Sequence, residues 1–543
     1  FYRGTPTTSG GAIYMAGGSM SLDASLFSAN DATTGGGAIY ASTSGTVTVS
    51  NSEFSGNKST ASNGGAINLA NGSVSLLNLT LRDNLAKLGA ALYATGASLS
   101  VVARDSSFLR NIASISGGAA HLSTSLPMHF VDNVFMENAA TTTGGGFFLT
   151  GSARVALINN TLVGNSAGTN GGGQIYATSS PVAFLLQNII AYGAGGTGIY
   201  LASTSPRMLY WYNDIFGNAP SEYAGSAVIQ TGLRGNISAD PMFVAYSDDD
   251  NEANDNLTLR SGSPAINTGD PEFPDDDFSP SDMGWGGGYD EYVSPYATHH
   301  VSPLGHTLFS SIASAISAAS SGSAIYVYPG LYVGDFNYGG KNLTVKGAYG
   351  PETVLSYGTT EGAILKSAET SSAILEDLTL SSFGTTAIVT TNTSPTIHNV
   401  HFRLFNTLSS SSYFVMNHSG GSVSYNDVTV EDNSATHIGQ FTGGTPVFTN
   451  CVFKNNKGYY TGGPFFTTNS NAQISGSLIQ GNTNANSNGG GVQVYSNSSL
   501  TVRVAMVSAD FGSWVGTVPV MRPCPAPQAT CIATAAGVTL NSG

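Results

Sequence analysis

The stretch 64–84, GGAINLANGSVSLLNLTLRDN, is one copy of a unit that recurs along the first part of the chain. The apolar residue three positions before the last Asn of each unit returns every 27 residues: Phe27, Phe54, Leu81, Phe108, Phe135 and Leu162. The Asn that follows it keeps the same step: Asn30, Asn57, Asn84, Asn111, Asn138 and Asn165. A fixed period of this size indicates stacked structural repeats.

Each unit contains three short runs in which apolar residues alternate with small or polar ones, as at 67–69, 74–76 and 79–81. A period of two over so few residues is typical of short strands separated by corners. If successive turns stack, equivalent strands pair in parallel, the inward apolar residues form a continuous core, and each turn rises by about 4.8 Å. The sequence therefore predicts an all-β fold, the parallel β-helix.

The predicted corners carry glycine and asparagine. Glycine suits a positive φ or a close backbone approach, and paired glycines precede the first strand of several units: Gly10-Gly11, Gly36-Gly37, Gly64-Gly65, Gly117-Gly118, Gly145-Gly146 and Gly172-Gly173. We predict that the six recurring asparagines stack into a structural ladder of hydrogen-bonded amides. A flexible Gly/Ser linker is the alternative, but linkers carry no phased Ile, Leu and Phe.

These motifs resemble a known family. Gly-Gly-Ala-Ile at 10–13, 36–39 and 64–67, paired with Phe-x-x-Asn as at 27–30 and 54–57, resembles the repeats of chlamydial polymorphic outer-membrane proteins. More broadly, the pattern is similar to that of bacterial right-handed parallel β-helix surface proteins. The resemblance covers about residues 10 to 200. It implies a right-handed β-helix at a cell surface and no particular activity.

The composition limits the function. Charged residues make up 9% of the chain, against about 25% in ordinary domains, and the net charge is −15 with 18 Lys plus Arg. Such a chain is a poor candidate for binding nucleic acid or acidic polysaccharide, and no apolar run is long enough to span a membrane. The chain starts inside a repeat without an initiating Met, so we expect a segment of a longer secreted or surface protein.

The pattern changes along the chain in a way that predicts a tandem pair of right-handed β-helices. The first spans 1–292, and its last part, 236–292, resembles the C-terminal closing segment of secreted bacterial β-helix proteins, so we interpret it as a cap. The second spans 293–518 and opens with a short capping α-helix near 307–320, where apolar residues have helical spacing. Residues 519–543 lose the pattern and are interpreted as a tail or a linker to a further module.

Acidic residues cluster twice in the predicted cap. Oxygen ligands at alternate positions suit calcium, so we predict calcium at one of these clusters and no other cofactor. The alternative is that both are solvated acidic loops. The candidate ligands are Asp248, Asp250, Asn254, Asp255, Asp275, Asp277 and Asp282.

Cysteines and aromatic residues raise two further expectations. Cys524 and Cys531 lie seven residues apart near Pro523, Pro525 and Pro527, which predicts a small disulfide loop. Cys451 alternates in phase with Phe453 and should be buried. The run Tyr210-Trp211-Tyr212 is either a platform for stacking sugars or a set of rings packed alternately inside and outside the coil; we favour packing.

Parallel β-helices also include pectate lyases, polygalacturonases and phage depolymerases, which carry cationic or paired-carboxylate groups on a groove. Here Lys341, Lys346 and Lys366 form only a loose cluster, and we name no catalytic residues. We therefore predict a secreted or cell-surface structural or adhesive protein, without a strong case for an enzyme. Its partners would be copies of itself, as in a filament, or a cell-surface glycan or protein. The alternative is a carbohydrate-active enzyme or a glycan-binding spike.

Overall fold

The protein is described by a computed structural model. The description covers residues 1–543 except 5–7, 169–170, 205, 250, 272–278, 288–298, 304–306, 308, 349, 351–353, 357–360, 368, 382–385, 408–413, 459–464, 485–491, 496–498, 504–530, 535–538 and 541–543. The chain divides into two compact units, Phe1–Asp290 and Glu291–Gly543. Among the described residues, no helix has both the length and the apolar character needed to cross a membrane.

The first unit is a parallel β-helix whose turns contribute strands to four faces. Faces A and B belong to one sheet because Ile39–Ser50 and Ile67–Leu77 run through both. The other strands of face A are Ile13–Met15, Leu92–Thr95, Ala120–Ser123, Phe147–Leu149, Ile175–Ala177, Ile199–Leu201 and Tyr223–Gly225. Those of face B are Met20–Asp23, Leu99–Arg104, Pro127–Val131, Arg154–Ile158, Val182–Leu186 and Arg207–Trp211.

Faces C and D complete each turn. Face C consists of Leu26–Ser28, Glu53–Ser55, Thr80–Arg82, Ser107–Leu109, Val134–Met136, Thr161–Val163, Ile189–Ala191 and Asp214–Phe216. Face D consists of Lys58–Asn63, Leu85–Leu88, Ile112–Ser116 and Ala139–Ala140.

The strand register confirms the 27-residue repeat. Phe27 lies opposite Phe54, Phe54 opposite Leu81, and Phe108 opposite Phe135 in the parallel pairs of face C. All of these side chains are fully buried, and the rings of Phe27 and Phe54 stack with centroids 4.6 Å apart. Equivalent apolar residues from turn to turn therefore build one continuous core along the first unit.

Tight corners between the faces depend on residues with positive φ. Gly36 has φ +65°, and a Cβ on the next residue, Gly37, would lie 2.0 Å from the carbonyl oxygen of Gly65 in the following turn. The paired glycines are thus needed both for backbone conformation and for close stacking of turns. In the unit where the sequence predicts the pair Gly145-Gly146, the positive φ of +66° falls one residue earlier, at Gly144.

The later turns of face B are buried on both sides. Arg154–Ile158 and Val182–Leu186 are buried at every position, including outward-facing residues such as Phe184. Their sequences, RVALI and VAFLL, are almost uninterrupted apolar runs, which is typical of strands covered on both faces. The alternation seen at 67–84 therefore does not extend unchanged along the coil.

The segment predicted to be a cap does more than close the last turn. Ile237 still pairs with Asp214 of face C, but the described residues that follow lie along the outer side of face C; we call residues 238–249, 251–271 and 279–287 the strap. The strap contains an antiparallel pair, Phe243–Ala245 with Asn256–Leu259, and a 3-10 turn, Glu252–Asn254. Apolar side chains explain this course, because the strap buries the outward residues of face C in a second small core: Phe243, Ala265 and Met283 with Val134, Met136, Val163, Ile189 and Ala191.

The second unit is also a parallel β-helix, built from a 15-stranded, an 8-stranded and a 4-stranded sheet. The first sheet comprises His299–Val301, Ala324–Val327, Leu331–Tyr332, Thr344–Gly347, Val354–Ser356, Ile374–Ser381, Thr396–Arg403, Ser424–Asn426, Thr429–Glu431, Val447–Thr449, Val452–Lys454, Asn471–Ser475, Leu478–Gln480, Ser499–Arg503 and Cys531–Thr534. The second comprises Phe336–Asn337, Glu361–Leu365, Thr386–Thr393, Phe414–Gly421, His437–Thr442, Phe465–Thr468, Val492–Tyr495 and Thr539–Leu540. The third comprises Asn406–Thr407, Ser434–Ala435, Lys457–Gly458 and Thr483–Asn484.

The predicted capping helix is present but shorter than 307–320. It spans Ile312–Ala318, begins at the N-cap Ser311, whose side chain accepts a hydrogen bond from the Ser314 amide, and buries Ile312 and Ile316. Ser311 has an extended backbone, so the helix cannot start earlier.

Two strands lie within 519–543, which the sequence predicts as a tail or linker. Cys531–Thr534 pairs antiparallel with Ser499–Arg503, and Thr539–Leu540 pairs antiparallel with Val492–Tyr495. These antiparallel strands cover the unpaired backbone groups that the last parallel turn would otherwise leave at its edge.

Candidate functional site

The predicted asparagine column lies inside the corner that follows face C. The Nδ2 atom of Asn57 donates to Oδ1 of Asn84 at 3.0 Å, and Nδ2 of Asn84 donates to Oδ1 of Asn111 at 2.9 Å. Asn30, Asn138 and Asn165 continue the same chain of amides. Each Nδ2 also donates to a main-chain carbonyl, such as that of Phe54 for Asn84. The column thus satisfies corner backbone that is shielded from water.

A second asparagine column lies in the corner between faces B and C, and sequence reasoning missed it. Its members are linked by the same Nδ2 to Oδ1 hydrogen bonds at 2.9 to 3.0 Å: Asn133, Asn160, Asn188, Asn213 and Asn236. The steps along the chain are 27, 28, 25 and 23 residues. The unequal steps hide this column from a search at one fixed period.

A cavity of about 290 Å³ opens beside the corner between faces C and D of the first unit. We call it the corner cavity. Its lining combines equivalent positions of successive turns on face D with corner residues and one residue of the strap: Arg110, Ile112, Glu137, Ala139, Gly164, Ser166, Ala194 and Asp248.

Arg110 is held between two carboxylates at one wall of the corner cavity. Its Nε and Nη2 atoms donate to the carboxylate oxygens of Asp83 at 3.0 and 3.3 Å, and its Nη1 atom contacts Glu252 of the strap. Burial alone would lower the pKa of Arg110, but hydrogen bonds and charges from Asp83 and Glu252 outweigh it and raise the pKa. The guanidinium therefore stays charged and is oriented by both partners.

Tyr246 of the strap covers the corner one turn beyond Glu137. Gly164 occupies that corner with φ +66°, and a Cβ there would lie 2.0 Å from the hydroxyl oxygen of Tyr246. The ring of Tyr246 stacks on Tyr192 with centroids 5.6 Å apart. Burial raises the pKa of Tyr246, and nearby carboxylates including Asp248 and Glu137 raise it further. The carboxylates of Asp248 and Glu137 therefore place negative charge near the hydroxyl group of Tyr246.

The predicted calcium ligands are distributed over the strap. Asp248 lines the corner cavity, Asn254 donates to Asp249, Asp255 accepts a hydrogen bond from the Ser247 amide, and Asp282 accepts one from the Asn267 amide. Asp250, Asp275 and Asp277 lie outside the described residues. Within the part of the chain that is described, no group of three or more His, Cys, Asp or Glu side chains is arranged to hold a metal ion. Calcium binding stays a prediction.

The cysteine and aromatic expectations have separate outcomes. Cys451 is buried, which raises the pKa of its thiol to about 11. Cys524 lies outside the described residues and Cys531 begins a strand, so the disulfide stays a prediction.

Tyr210 and Trp211 are both buried, Tyr210 in the main core and Trp211 against Phe184. Packing is confirmed for these two rings, which offer no platform for a sugar.

An aromatic column on the outer side of face A was not anticipated. One ring from each of five successive turns contacts the next at centroid distances of 4.6 to 5.5 Å: Tyr93, His121, Phe148, Tyr176 and Tyr200. Because most of these rings stack face to face, they expose mainly their edges. Burial lowers the pKa of His121 to about 4, so this imidazole is neutral at neutral pH.

Charged residues of the second unit meet on the outer side of its large sheet. Lys346 Nζ lies 2.8 Å from Asp377 and 3.6 Å from Glu376, and His398 lies 3.6 Å from Glu376 and 3.5 Å from Asp427. Burial would lower the pKa of Lys346, but the hydrogen bond to Asp377 and the two negative charges outweigh it and raise the pKa. We call these five residues the charged face.

Two lysines of the loose cluster noted in the sequence, Lys341 and Lys346, make separate contacts. Lys341 donates to the carbonyl oxygens of Ile316 and Ala319 at 2.7 and 2.8 Å and so caps the C-terminal end of the helix. Lys346 instead belongs to the charged face.

The comparisons with known proteins agree with this architecture. Residues 8–184 and 341–504, more than half of the chain, match the family model for the right-handed β-helix region, so the protein belongs to the right-handed β-helix family. The finer resemblance to polymorphic outer-membrane proteins stays a prediction.

Ten chains of solved structures match. One is the PL6 family alginate lyase AlyGC, at 11% identity over 93% of this chain and 96% of that one, with a TM-score of 0.20. A point mutant of that enzyme matches at 10% identity over 91% and 97%, also with a TM-score of 0.20. Likeness at this level carries no argument about activity. No curated protein sequence matches significantly.

Proposed function

We propose that the protein is an extracellular or cell-surface β-helical protein with a structural or adhesive role. The observation that supports this is the unbroken column of buried amides from Asn30 to Asn165, which ties successive turns together along the first unit. Each turn contacts mainly its neighbours, so such a stack forms an extended, stiff body with repeated outer surfaces. Those surfaces would contact a cell-surface glycan, a protein or another copy of the chain.

The test is binding by the full chain to glycan arrays and to intact cells, together with electron microscopy of the purified protein. An adhesive role predicts saturable binding without change to the ligand, and a filament subunit predicts ordered polymers. Release of oligosaccharides from a bound polysaccharide would refute a purely structural or adhesive role.

A carbohydrate-active enzyme is the second candidate, and the corner cavity favours it because a guanidinium and carboxylates converge there beside a tyrosine. The charged face of the second unit supports an enzymatic role less than the corner cavity does. The raised pKa of Lys346 keeps its amine protonated, and a protonated amine cannot abstract the proton that a lyase must remove.

The two candidates are separated by incubating the protein with a panel of neutral and acidic polysaccharides. Reducing ends report hydrolysis, and ultraviolet absorbance of unsaturated ends reports elimination. Activity that disappears in Glu137→Gln and persists in Asp105→Asn would establish an enzyme with its site at the corner cavity. Asp105 is an exposed corner residue that does not line the cavity.

A further inference from the structure

One carboxyl group lies among the apolar side chains that the strap buries on face C. Asp214 pairs with Ile189 of the preceding turn and with Ile237 of the segment that follows. Ile189 belongs to the second small core beneath the strap, and Ile237 packs against that core. Asp214 is fully buried. A position that is apolar on either side of it therefore carries an ionisable group without access to water.

The carboxyl group of Asp214 accepts a single hydrogen bond. Its Oδ1 atom accepts from the main-chain amide of Ala239, the second residue of the strap, at 3.0 Å. Its Oδ2 atom is buried, and no residue in the described part of the chain forms a hydrogen bond with it. A buried carboxylate is stabilised when it accepts two or three backbone amides or faces a cation. With one amide, burying the ionised form costs much more than burying the neutral acid.

The titratable groups that face Asp214 add to this cost. Two are acids, one in the loop after face C and one in the strap, and two are phenols: Glu222, Asp240, Tyr192 and Tyr223. Burial raises the pKa of both phenols, which stay neutral. Burial raises the pKa of Asp214 to about 7, with added repulsion from the two acids and only partial opposition from the Ala239 amide.

We propose that Asp214 is a pH-sensitive switch that controls how firmly the strap is held on face C. The neutral acid packs under the strap. Once the proton is lost, exposing the carboxylate to water favours release of the neighbouring part of the strap, which uncovers outward apolar residues of face C such as Ile189. The switch goes beyond a structural or adhesive role and does not depend on it.

The direction of the pH effect follows from the two forms of the strap. In the open form Asp214 is exposed and loses its proton near the ordinary aspartate pKa of about 3.9. In the closed form it keeps the proton to a pH of about 7. The closed form therefore binds more protons, and the strap is held most firmly in acid and less firmly as the pH rises from about 4 to about 7. The effect of His121 has the opposite sign, because burial lowers its pKa.

Hydrogen exchange of the full chain at pH 5 and pH 8, corrected for the intrinsic effect of pH on exchange, tests the proposal. Peptides within 238–249 report the part of the strap that follows Ala239. Their opening equilibrium should increase by roughly ten- to a hundredfold between the two pH values. Peptides from the first turns of the first unit should show no such increase.

Variants assign the effect to one carboxyl group. Asp214→Asn keeps the shape of the side chain and the acceptor for the Ala239 amide but cannot ionise, so opening of the strap should change by less than about twofold over the same pH range. Asp214→Leu is a second variant without charge and needs no polar partner. The matched control Asp105→Asn removes an exposed corner carboxylate and should keep the full pH dependence.

Three results would overturn the proposal. The first is that the strap of the unsubstituted protein opens equally at both pH values, or more in acid. The second is that Asp214→Asn or Asp214→Leu keeps the pH dependence of the Asp105→Asn control. The third is that every peptide of the first unit opens more at pH 8, since the release would then not be local. The first and third results need no variant at Asp214, so the proposal can be refuted even if those variants fold poorly. None of the three bears on binding to cells or glycans, which tests the proposed function separately.

Discussion

Replacing Asn84 by alanine tests whether the buried amide column stabilises the stack. Oδ1 of Asn84 accepts from the amide and Nδ2 of Asn57 at 2.9 and 3.0 Å, and Nδ2 of Asn84 donates to the Phe54 carbonyl and to Asn111 at 3.0 and 2.9 Å. The residue is fully buried, so water cannot replace these partners. The substitution removes four hydrogen bonds and leaves the Asn57 amide without its acceptor.

The expected loss follows from these contacts. A hydrogen bond contributes about 0.5–1.5 kcal/mol net, and a buried group without a partner costs about 1–3 kcal/mol. Asn84→Ala should therefore lower the free energy of opening this corner by about 3–5 kcal/mol, which is at the upper end for a single substitution. The effect should decline within a few turns, because each turn contacts mainly its neighbours.

Hydrogen exchange followed by mass spectrometry is the appropriate assay, since a chain with two units need not unfold in one step. Peptides that contain Asn57 and Asn84 should exchange roughly a hundredfold to a few thousandfold faster. The control is Asn78→Gly, which removes an exposed amide bonded to Asn51 at 2.8 Å and tolerates the φ of +52°. It should cost less than about 1 kcal/mol. Equal exchange in the two variants would refute the role assigned to the buried column.

Three further substitutions test the corner, the aromatic column and the strap. Gly164→Ala forces a Cβ to within 2.0 Å of the Tyr246 hydroxyl oxygen at a φ of +66° and should speed exchange in the strap, at a cost of about 1–3 kcal/mol. His121→Phe should make stability less dependent on pH. Burial lowers the pKa of His121 in the folded protein to about 4, below the ordinary histidine pKa of about 6.5, so protons favour the unfolded state and stability falls as pH drops from about 6.5 to 4. Hydrogen exchange of peptides around His121, corrected for the intrinsic effect of pH on exchange, should show the unsubstituted protein losing about 2 kcal/mol more than the variant between pH 7 and 5. Gln187→Gly removes the acceptor of the Asp270 amide and the Ser281 hydroxyl, both at 2.8 Å, and should accelerate proteolysis within the strap.

Each of these predictions has a contrary outcome. Unchanged exchange in the strap of Gly164→Ala would mean that the contact with Tyr246 is adjustable. A pH dependence of stability identical in His121→Phe and the unsubstituted protein would show that the imidazole is not desolvated in the folded state. Proteolysis of the strap at the original rate in Gln187→Gly would show that apolar packing alone holds the segment.

Regular features of the first unit were predictable because they repeat in phase with the turn. The Phe column at Phe27 and Phe54 and the amide column at Asn57 and Asn84 follow from equal steps. The second asparagine column keeps the same geometry with unequal steps, because loops of different length are inserted between its members. The fixed period therefore identifies the fold but misses part of its stabilising network.

The corner cavity and the charged face were not predictable by the same reasoning. Arg110 and Glu252 lie far apart in the chain and meet only because the strap returns along face C. Lys346, Glu376 and His398 come from successive turns of unequal length. Neither set contains a motif that a linear reading would detect.

The amino-acid sequence by itself determined the stacking of turns, because alternation of apolar residues and a fixed 27-residue step are local properties that each turn repeats. Only the tertiary structure decided where the strap lies and which charges meet at the corner cavity. Those contacts depend on apolar surface left on the outer side of face C, which the strap must reach across many turns to bury. Contacts between distant segments depend on the shape and burial of the surfaces that meet. Neither property repeats at a fixed interval along the sequence.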